Sequence, residues 1–590
     1  MSNQVTLYPN PIGQPLPGST PLAVCFSGGG SRSLTCTLGQ LSALSTLPDP
    51  LNPKQMLIKR VAAISAVSGG SWASVPYTYL SASVADSDFL ITPQAPSALV
   101  KKSAGTASPA NVAYLAPQCL GNVPGKFGDW GIAGFVAEWL LLRKLYNIPW
   151  SWLWIVAVGQ FVLKDFGLYD VAYGSAGVLP KKSFSQSADY VQKNILPNNS
   201  GLTTSSFYYP RAGRPSLIVN YNMLEDIAGA PQIPVQATVT GTGCPGQSPD
   251  AAIQGGGLCE SFGFGSTLLA GGSATGPAPV TLSRLYSLCD ITGCSSAFFA
   301  QWLQQHLGGY LDKAIKEAET APTKFGFAAV EGALAKTELT KLQAELKALE
   351  EQPLAIVPQY DYWPLSQVTA PSPVTTNYGF ADGGAFENTG LMGLLTRTTG
   401  DIKTIVFVNT STALSIDSHK TLVVDDQLSL LFGLQAYKNG SYPSFGGMNP
   451  SQPMSYVQLF SSDRFADLLA QLSANSCNGT SSPNSGVAWA MQTLTTIANP
   501  VANVAAGRKV EVLWVYNNRV NTWQNAITDK AILADLAAGQ GASPSGSLAN
   551  FPSYGTIDIH LDAEAVNMLA QLSAWSLTQL QPQISTLLSS

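Results

Sequence analysis

Close to the amino end, a short apolar run and a glycine triplet limit what this chain can fold into. Leu22 to Phe26 (LAVCF) has a strand's length and flanks, and it stops at Ser27-Gly28-Gly29-Gly30-Ser31-Arg32. The next stretch, SLTCTLGQLSALSTL, places Leu34, Leu38, Leu41 and Leu44 on one face of a helix. Strand, glycine turn and helix in that order form the first unit of a parallel α/β layer. The turn itself admits two readings. It is a flexible connection, or it is a cradle of backbone N–H groups at a helix N-terminus, where the helix dipole favours negative charge. A phosphate-binding P-loop is excluded because no Gly-Lys-Ser/Thr follows, and the G-x-G-x-x-G spacing of a dinucleotide site is absent. An oxyanion hole is the functional reading that remains.

A second strand-to-helix junction lies at Val61 to Leu80. The apolar run Val61 to Ile64 leads into Ala66-Val67-Ser68-Gly69-Gly70 and then a segment able to form a helix. A serine between a strand end and a glycine pair reads as a nucleophile elbow, in which the sharp turn lifts the hydroxyl out of the sheet. An ordinary Ser/Gly turn is the alternative. Ala66 stands where G-x-S-x-G has its first glycine, adding a methyl where strand and helix pack closely.

Serine nucleophiles need a base within hydrogen-bond reach. The three histidines, His306, His419 and His560, stand in no recognisable catalytic setting, although a triad using His560 stays open. A carboxylate base needs one well-placed aspartate held by a turn. Asp382-Gly383-Gly384, within NYGFADGGAFENTGL, supplies one, followed by a plausible helix at Leu391 to Leu395 and a buried strand at Thr404 to Val408. Asp-Gly-Gly is also a common plain turn.

Taken together and in order, SGGGSR, AVSGGSW and ADGG resemble the patatin-like and cytosolic phospholipase A / fungal phospholipase B group of Ser-Asp dyad acyl hydrolases. SGGSW is closer to the phospholipase branch than to plant patatin. The resemblance covers a core of roughly 150 residues, and three ordered motifs are far more specific than one. It implies an α/β fold, a three-layer patatin-like sandwich with a mainly parallel central sheet and large cap or lid insertions. It implies Ser68 as nucleophile, Asp382 as general base, the Gly28-Gly29-Gly30 turn as oxyanion hole, and Arg32 and Gly69 as substrate-contacting residues, with Arg32 near the head group or stabilising the site. No metal or other cofactor is implied, and no calcium-dependent lipid-targeting module is visible. The expected activity is hydrolysis of lipid carboxylic esters through an acyl-enzyme. An acyltransferase with the same dyad, or a silent lipid-binding protein of this fold, are the alternatives.

Composition narrows the partners. Charged residues make up 11% of the chain and net charge is −5, with no basic patch interleaved with aromatics, so nucleic acid is not expected. The amino-terminal sequence has neither a basic n-region nor an apolar core, so a Sec-type signal is not expected and a cytoplasmic or peripheral membrane location is. No CxxC or Cys/His zinc spacing occurs; Cys244, Cys259, Cys289 and Cys294 sit in a Gly-rich stretch and would pair only in an oxidising compartment.

One domain spanning 1–590 is expected, with core segments near 20–82, 214–224, 354–412 and 508–590 and cap insertions near 84–210, 225–353 and 413–505. Ser216 to Asn220 and Val510 to Tyr516 read as core strands, Leu561 to Leu588 as closing helical structure, and Leu339, Leu342, Leu346 and Leu349 as one face of an amphipathic cap helix. Leu145 to Leu163 carries no charged residue and is rich in tryptophan. It reads first as a buried cap or core helix, second as an interfacial segment and last as a membrane span. Contact with a lipid interface is accordingly placed at about 130–163.

Overall fold

The computed structural model describes residues 3–8, 14–18, 20–127, 143, 146–174, 177–224, 232–246, 255, 257–273, 276–300, 344 and 356–590. Its centre is a 12-stranded sheet. In chain order the strands are β1 (Leu7–Tyr8), β2 (Leu22–Phe26), β3 (Val61–Val67), β4 (Ser216–Leu224), β5 (Ile233–Ala237) and β6 (Thr242–Cys244). They continue as β7 (Gly257–Cys259), β8 (Gln359–Tyr362), β9 (Thr376–Asp382), β10 (Ile402–Val408), β11 (Ala488–Thr495) and β12 (Lys509–Tyr516). The order is β1-β7-β6-β5-β4-β3-β2-β10-β12-β11, with β9 paired to β4 and β8. The run β4-β3-β2-β10-β12 is parallel throughout, and the strands flanking it are antiparallel.

The helices that matter for the site are α1 (Gly30–Thr46), α2 (Gly69–Tyr79), α3 (Leu288–Ser295), α4 (Leu391–Arg397), α5 (Phe465–Cys477), α6 (Ala563–Gln579) and α7 (Gln581–Ser589). Alternate residues of a strand face opposite sides, and both faces are covered. Leu22, Val24 and Phe26 join the core formed with α1, α2 and α6, whereas Ala23 and Cys25 join a second core formed with α4 and α5. Helix, sheet and helix thus stack as three layers in a mixed α/β fold. Covering both faces explains why LAVCF is apolar at every position: a parallel strand buried twice has no polar side. Fully burying one such Val, Leu or Phe side chain contributes ~1.5–3 kcal/mol.

The sheet extends further than the expected core segments. β5, β6 and β7 come from the 225–353 segment and β11 from 413–505, so parts of both expected caps are strands of the central sheet. β6 and β7 hold three residues each. The closing helical stretch is two helices, divided at Leu580 because Pro582 occupies the first turn of α7 and cannot continue α6.

Much of the described part of the tryptophan-rich segment is buried, although Asn147 is exposed and Trp152 half-buried. Leu153 to Val158 is helical and buried, and Trp154 is fully enclosed against Trp72 and Phe299, at ring-centroid distances of 6.2 and 5.2 Å. Its indole N–H donates to the Gly293 carbonyl at 3.0 Å, which removes the reason for that edge to seek water. Residues 130–142 and 144–145 of the proposed lipid-contacting stretch lie outside the described residues, as do His306, Leu339, Leu342, Leu346 and Leu349. Among the described residues no helix is long and apolar enough to cross a membrane, and no cluster of three or more His, Cys, Asp or Glu residues is placed to hold a metal ion. All eight cysteines are buried free thiols.

Candidate active site

Two strands bring the candidate nucleophile and base together by sharing one edge of β4. β3 runs parallel to β4 and ends with Val67 opposite Asn220. β9 runs antiparallel to β4 and ends with Asp382 opposite Tyr221, the next residue along. The strands therefore meet end to end, and Ser68 and Asp382 sit at the junction. The Ser68 hydroxyl donates to Asp382 Oδ2 at 2.8 Å.

Ser68 has φ 50°, a left-handed value that L side chains rarely adopt. Such a conformation costs of order 1–3 kcal/mol and needs enforcing from outside. The Ser68 N–H donates to Ser295 Oγ at 2.9 Å, and Ser295 Oγ donates on to the Asn220 carbonyl at 2.7 Å. On the other side, the Ser68 carbonyl accepts from the Ser71 and Trp72 amides as α2 begins. Ser295 is fully buried at the end of α3 and ties the elbow to β4. Its replacement by alanine should leave a buried N–H unpaired, at a cost of ~1–3 kcal/mol, and loosen the elbow. The expected result is slower turnover of a soluble ester at nearly unchanged KM. An unchanged rate with lowered stability would assign Ser295 a purely structural role.

Asp382 is almost fully buried, and desolvation of its charged form pushes its carboxyl up from 3.8 to about 6. Hydrogen bonds oppose that rise: Gly384 N–H to Oδ1 at 2.8 Å, the Ser68 hydroxyl, and Phe298 N–H to Oδ2 at 3.4 Å. The outcome is a carboxylate still ionised at neutral pH but more basic than an exposed one, which suits a general base. Neither other histidine among the described residues bonds to Ser68. His419 pairs with Asp417 at the surface, and His560 lines a cavity.

The glycine turn lies against the elbow. A Cβ on Gly28 would fall 2.8 Å from Ser68 Cβ, and one on Gly69 would fall well inside contact distance of the Gly30 carbonyl oxygen and 2.8 Å from the Gly30 nitrogen. Of the three expected oxyanion donors, Gly28 is already engaged: its N–H donates to the Asn388 carbonyl at 3.1 Å and to Asn388 Oδ1 at 3.0 Å. The amides of Gly29 and Gly30 have no protein acceptor among the described residues, and neither has that of Gly69. Gly29 and Gly30 stand at the N-terminus of α1, a 17-residue helix whose dipole favours an anion there.

Arg32 is buried under the turn, donating from Nε to the Asn409 carbonyl at 2.9 Å and from Nη1 to the Tyr554 carbonyl. Its guanidinium has no carboxylate partner among the described residues, and burial lowers its pKa to about 10. Gln40 Nε2 holds the Asn409 side chain at 2.7 Å, so a polar network anchors the turn from beneath. Beside the turn runs the loop that precedes α6, with the Thr556 carbonyl 3.0 Å from where a Gly30 side chain would begin. A cavity of about 580 Å3 opens along this loop, lined in part by Phe127, Tyr554, Ile557 and His560.

Three contributors were not foreseen from sequence. Ser295 and Phe298 belong to a Gly/Cys-rich stretch without periodicity, where no local pattern distinguishes them. Asn388 stands within the quoted NYGFADGGAFENTGL, and its only sequence signal is a polar side chain close after the Asp-Gly-Gly turn.

No family model matches the sequence, and no curated protein matches it. Among solved structures the chain is similar to human GIVD cytosolic phospholipase A2, with 13% identity and a TM-score of 0.44 over 96% of this chain and 60% of that one. It is similar also to that protein in complex with methyl gamma-linolenyl fluorophosphonate, at 12% identity and a TM-score of 0.38, covering 96% and 58%. The chain thus spans about 60% of the length of the solved structure it matches.

Proposed function

We propose that this chain is a serine acyl hydrolase acting on lipid carboxylic esters, of phospholipase or lysophospholipase type. The observation that carries the reading is the 2.8 Å hydrogen bond from the Ser68 hydroxyl to Asp382 Oδ2 at a left-handed elbow. Asp382, ionised at neutral pH, takes the Ser68 proton as Oγ attacks the ester carbonyl. The carbonyl oxygen becomes an anion beside the unengaged Gly29 and Gly30 amides. The alcohol leaves with the proton from Asp382, and an acyl-serine remains. Water then loses a proton to Asp382 as it attacks the acyl carbon, and the proton returns to Ser68 as the acid departs. The lipid class is supported by the ordered SGGGSR, AVSGGSW and ADGG motifs.

Transfer of the acyl group to an alcohol by the same dyad is the second reading. Both readings expect Ser68 to react with a fluorophosphonate and Ser68→Ala to be inert. A lipid panel assayed for free fatty acid, with and without an added alcohol acceptor, separates them. Wild-type protein that is neither labelled at Ser68 nor active on any ester would sink the dyad and leave a silent lipid-binding protein.

A further inference from the structure

We propose that Asn388 is a catalytic residue of this site, with its side-chain Nδ2 donating a hydrogen bond to the carbonyl oxygen of the bound ester and to the oxyanion that forms from it. The inference rests on the dyad reading above. It starts from where the carboxamide is held. Gly28 N–H can only donate, so the Asn388 atom 3.0 Å from it is the oxygen, and the nitrogen is the other terminal atom. That oxygen is wedged between the two turns that carry the chemistry. A Cβ on Gly28 would overlap it and would also lie 2.8 Å from Ser68 Cβ. A Cβ on Gly384 would lie 2.5 Å from it and 3.2 Å from Asp382 Oδ1. The carboxamide therefore stands beside both members of the pair.

Nδ2 is the unused end. Asn388 is half-buried, and its Nδ2 has no protein acceptor among the described residues and is not sealed from solvent. A planar amide with its oxygen held by the Gly28 N–H has little freedom to turn, so its two N–H donors are oriented in advance. Preorganised neutral donors near a developing oxyanion are what acyl transfer requires. The arrangement also accounts for Gly28: its amide is spent on orienting a side chain that takes over the donor role.

The test compares wild type with N388A and N388D on a soluble ester, together with inhibition by a trifluoromethyl ketone, which forms an oxyanion on the serine. N388D keeps an oxygen for the Gly28 N–H but removes the donor. Donor loss should lower kcat about 10²–10³-fold in both variants, with KM changed by no more than a few-fold and ketone affinity falling in parallel with kcat/KM. The new carboxylate beside Asp382 would move the acid limb of the pH profile upward, so rates are compared on the plateau above it. N388D retaining near wild-type kcat on that plateau would overturn the proposal and leave Asn388 as a brace for Gly28. If N388A does not fold, N388D decides alone. Fluorophosphonate labelling of wild type is run alongside. Labelled wild type with unaffected variants defeats this inference alone, and unlabelled wild type defeats the dyad with it.

Discussion

Replacing Asp382 with asparagine should destroy activity and stabilise the fold, and the second effect should depend on pH. The rate loss is the simpler half. Without a base the Ser68 hydroxyl is a poor nucleophile, and loss of about four orders of magnitude is expected by comparison with disabled serine triads. The stability gain follows from the carboxyl's raised pKa. Burial favours the neutral form, so the folded state holds its proton up to about 6, whereas an unfolded chain releases it near 3.8. Below 3.8 both states are protonated and the residue contributes no pH dependence. As pH rises through that interval the folded state is progressively disfavoured, and above about 6 the penalty is complete. Its size is on the order of 3 kcal/mol. Asp382→Asn removes it while leaving an oxygen for the Gly384 amide. Denaturant curves for wild type and variant should separate at pH 8 and converge below pH 4. Coincident curves at pH 8 would mean the carboxyl is not desolvated. Wild-type kcat/KM should rise with pH through about 6 and then level, as the base ionises.

The second large effect is expected at Gly69. A methyl there meets backbone on its blocked side, the Gly30 carbonyl and nitrogen, so no side chain is free to yield. Gly69→Ala must push α2 away from the glycine turn and change the distance between Ser68 and the Gly29 and Gly30 amides. Misplacing oxyanion donors costs roughly 10²–10³ in rate, and forcing a methyl into a filled space costs ~1–3 kcal/mol. The expected variant is folded, less stable, and at least a hundredfold slower on a soluble ester. Ala66→Gly is the control. Ala66 is fully buried within β3, and its methyl packs in the core with Ile64 and Trp72. That change should lower stability modestly and leave turnover nearly intact. Full activity in Gly69→Ala would show that the two turns are not in register contact.

The contrast between Ala66 and Gly69 explains how much of the site could be read from residues alone. The alanine departs from the usual elbow, but the closest approach is made after the serine, at Gly69 and Gly70, where glycine is present. The parallel strands were legible because burial on both faces leaves a continuous apolar run: LAVCF, SLIVN, TIVFV and VEVLWVY each became a strand of the central sheet. The antiparallel edges were not legible. β6 and β7 are short and rich in glycine and cysteine, and pairing with distant neighbours, not local pattern, makes them strands. Ser295 reaches Ser68 across 227 positions, a contact that no local window contains. Tryptophan crowding was ambiguous in the sequence because an indole suits an interface and a core alike; the Gly293 carbonyl decides for the core at Trp154.

The meeting of β3 and β9 on one edge of β4 has a consequence for how such a protein can change. Ser68 and Asp382 are 314 positions apart, yet their separation in space is measured off on a single ruler, the ladder of β4. Slipping β9 by one rung would carry Asp382 ~3.3 Å along the sheet and turn it to the opposite face. Lengthening or shortening the chain between β4 and β9 leaves the rungs where they are. The connections between Leu224 and Thr376 can thus change in length while the ladder preserves the reactive geometry, provided β5 to β8 and the Ser295 and Phe298 contacts are kept, and tolerance to insertion should be lowest within the few residues that pair.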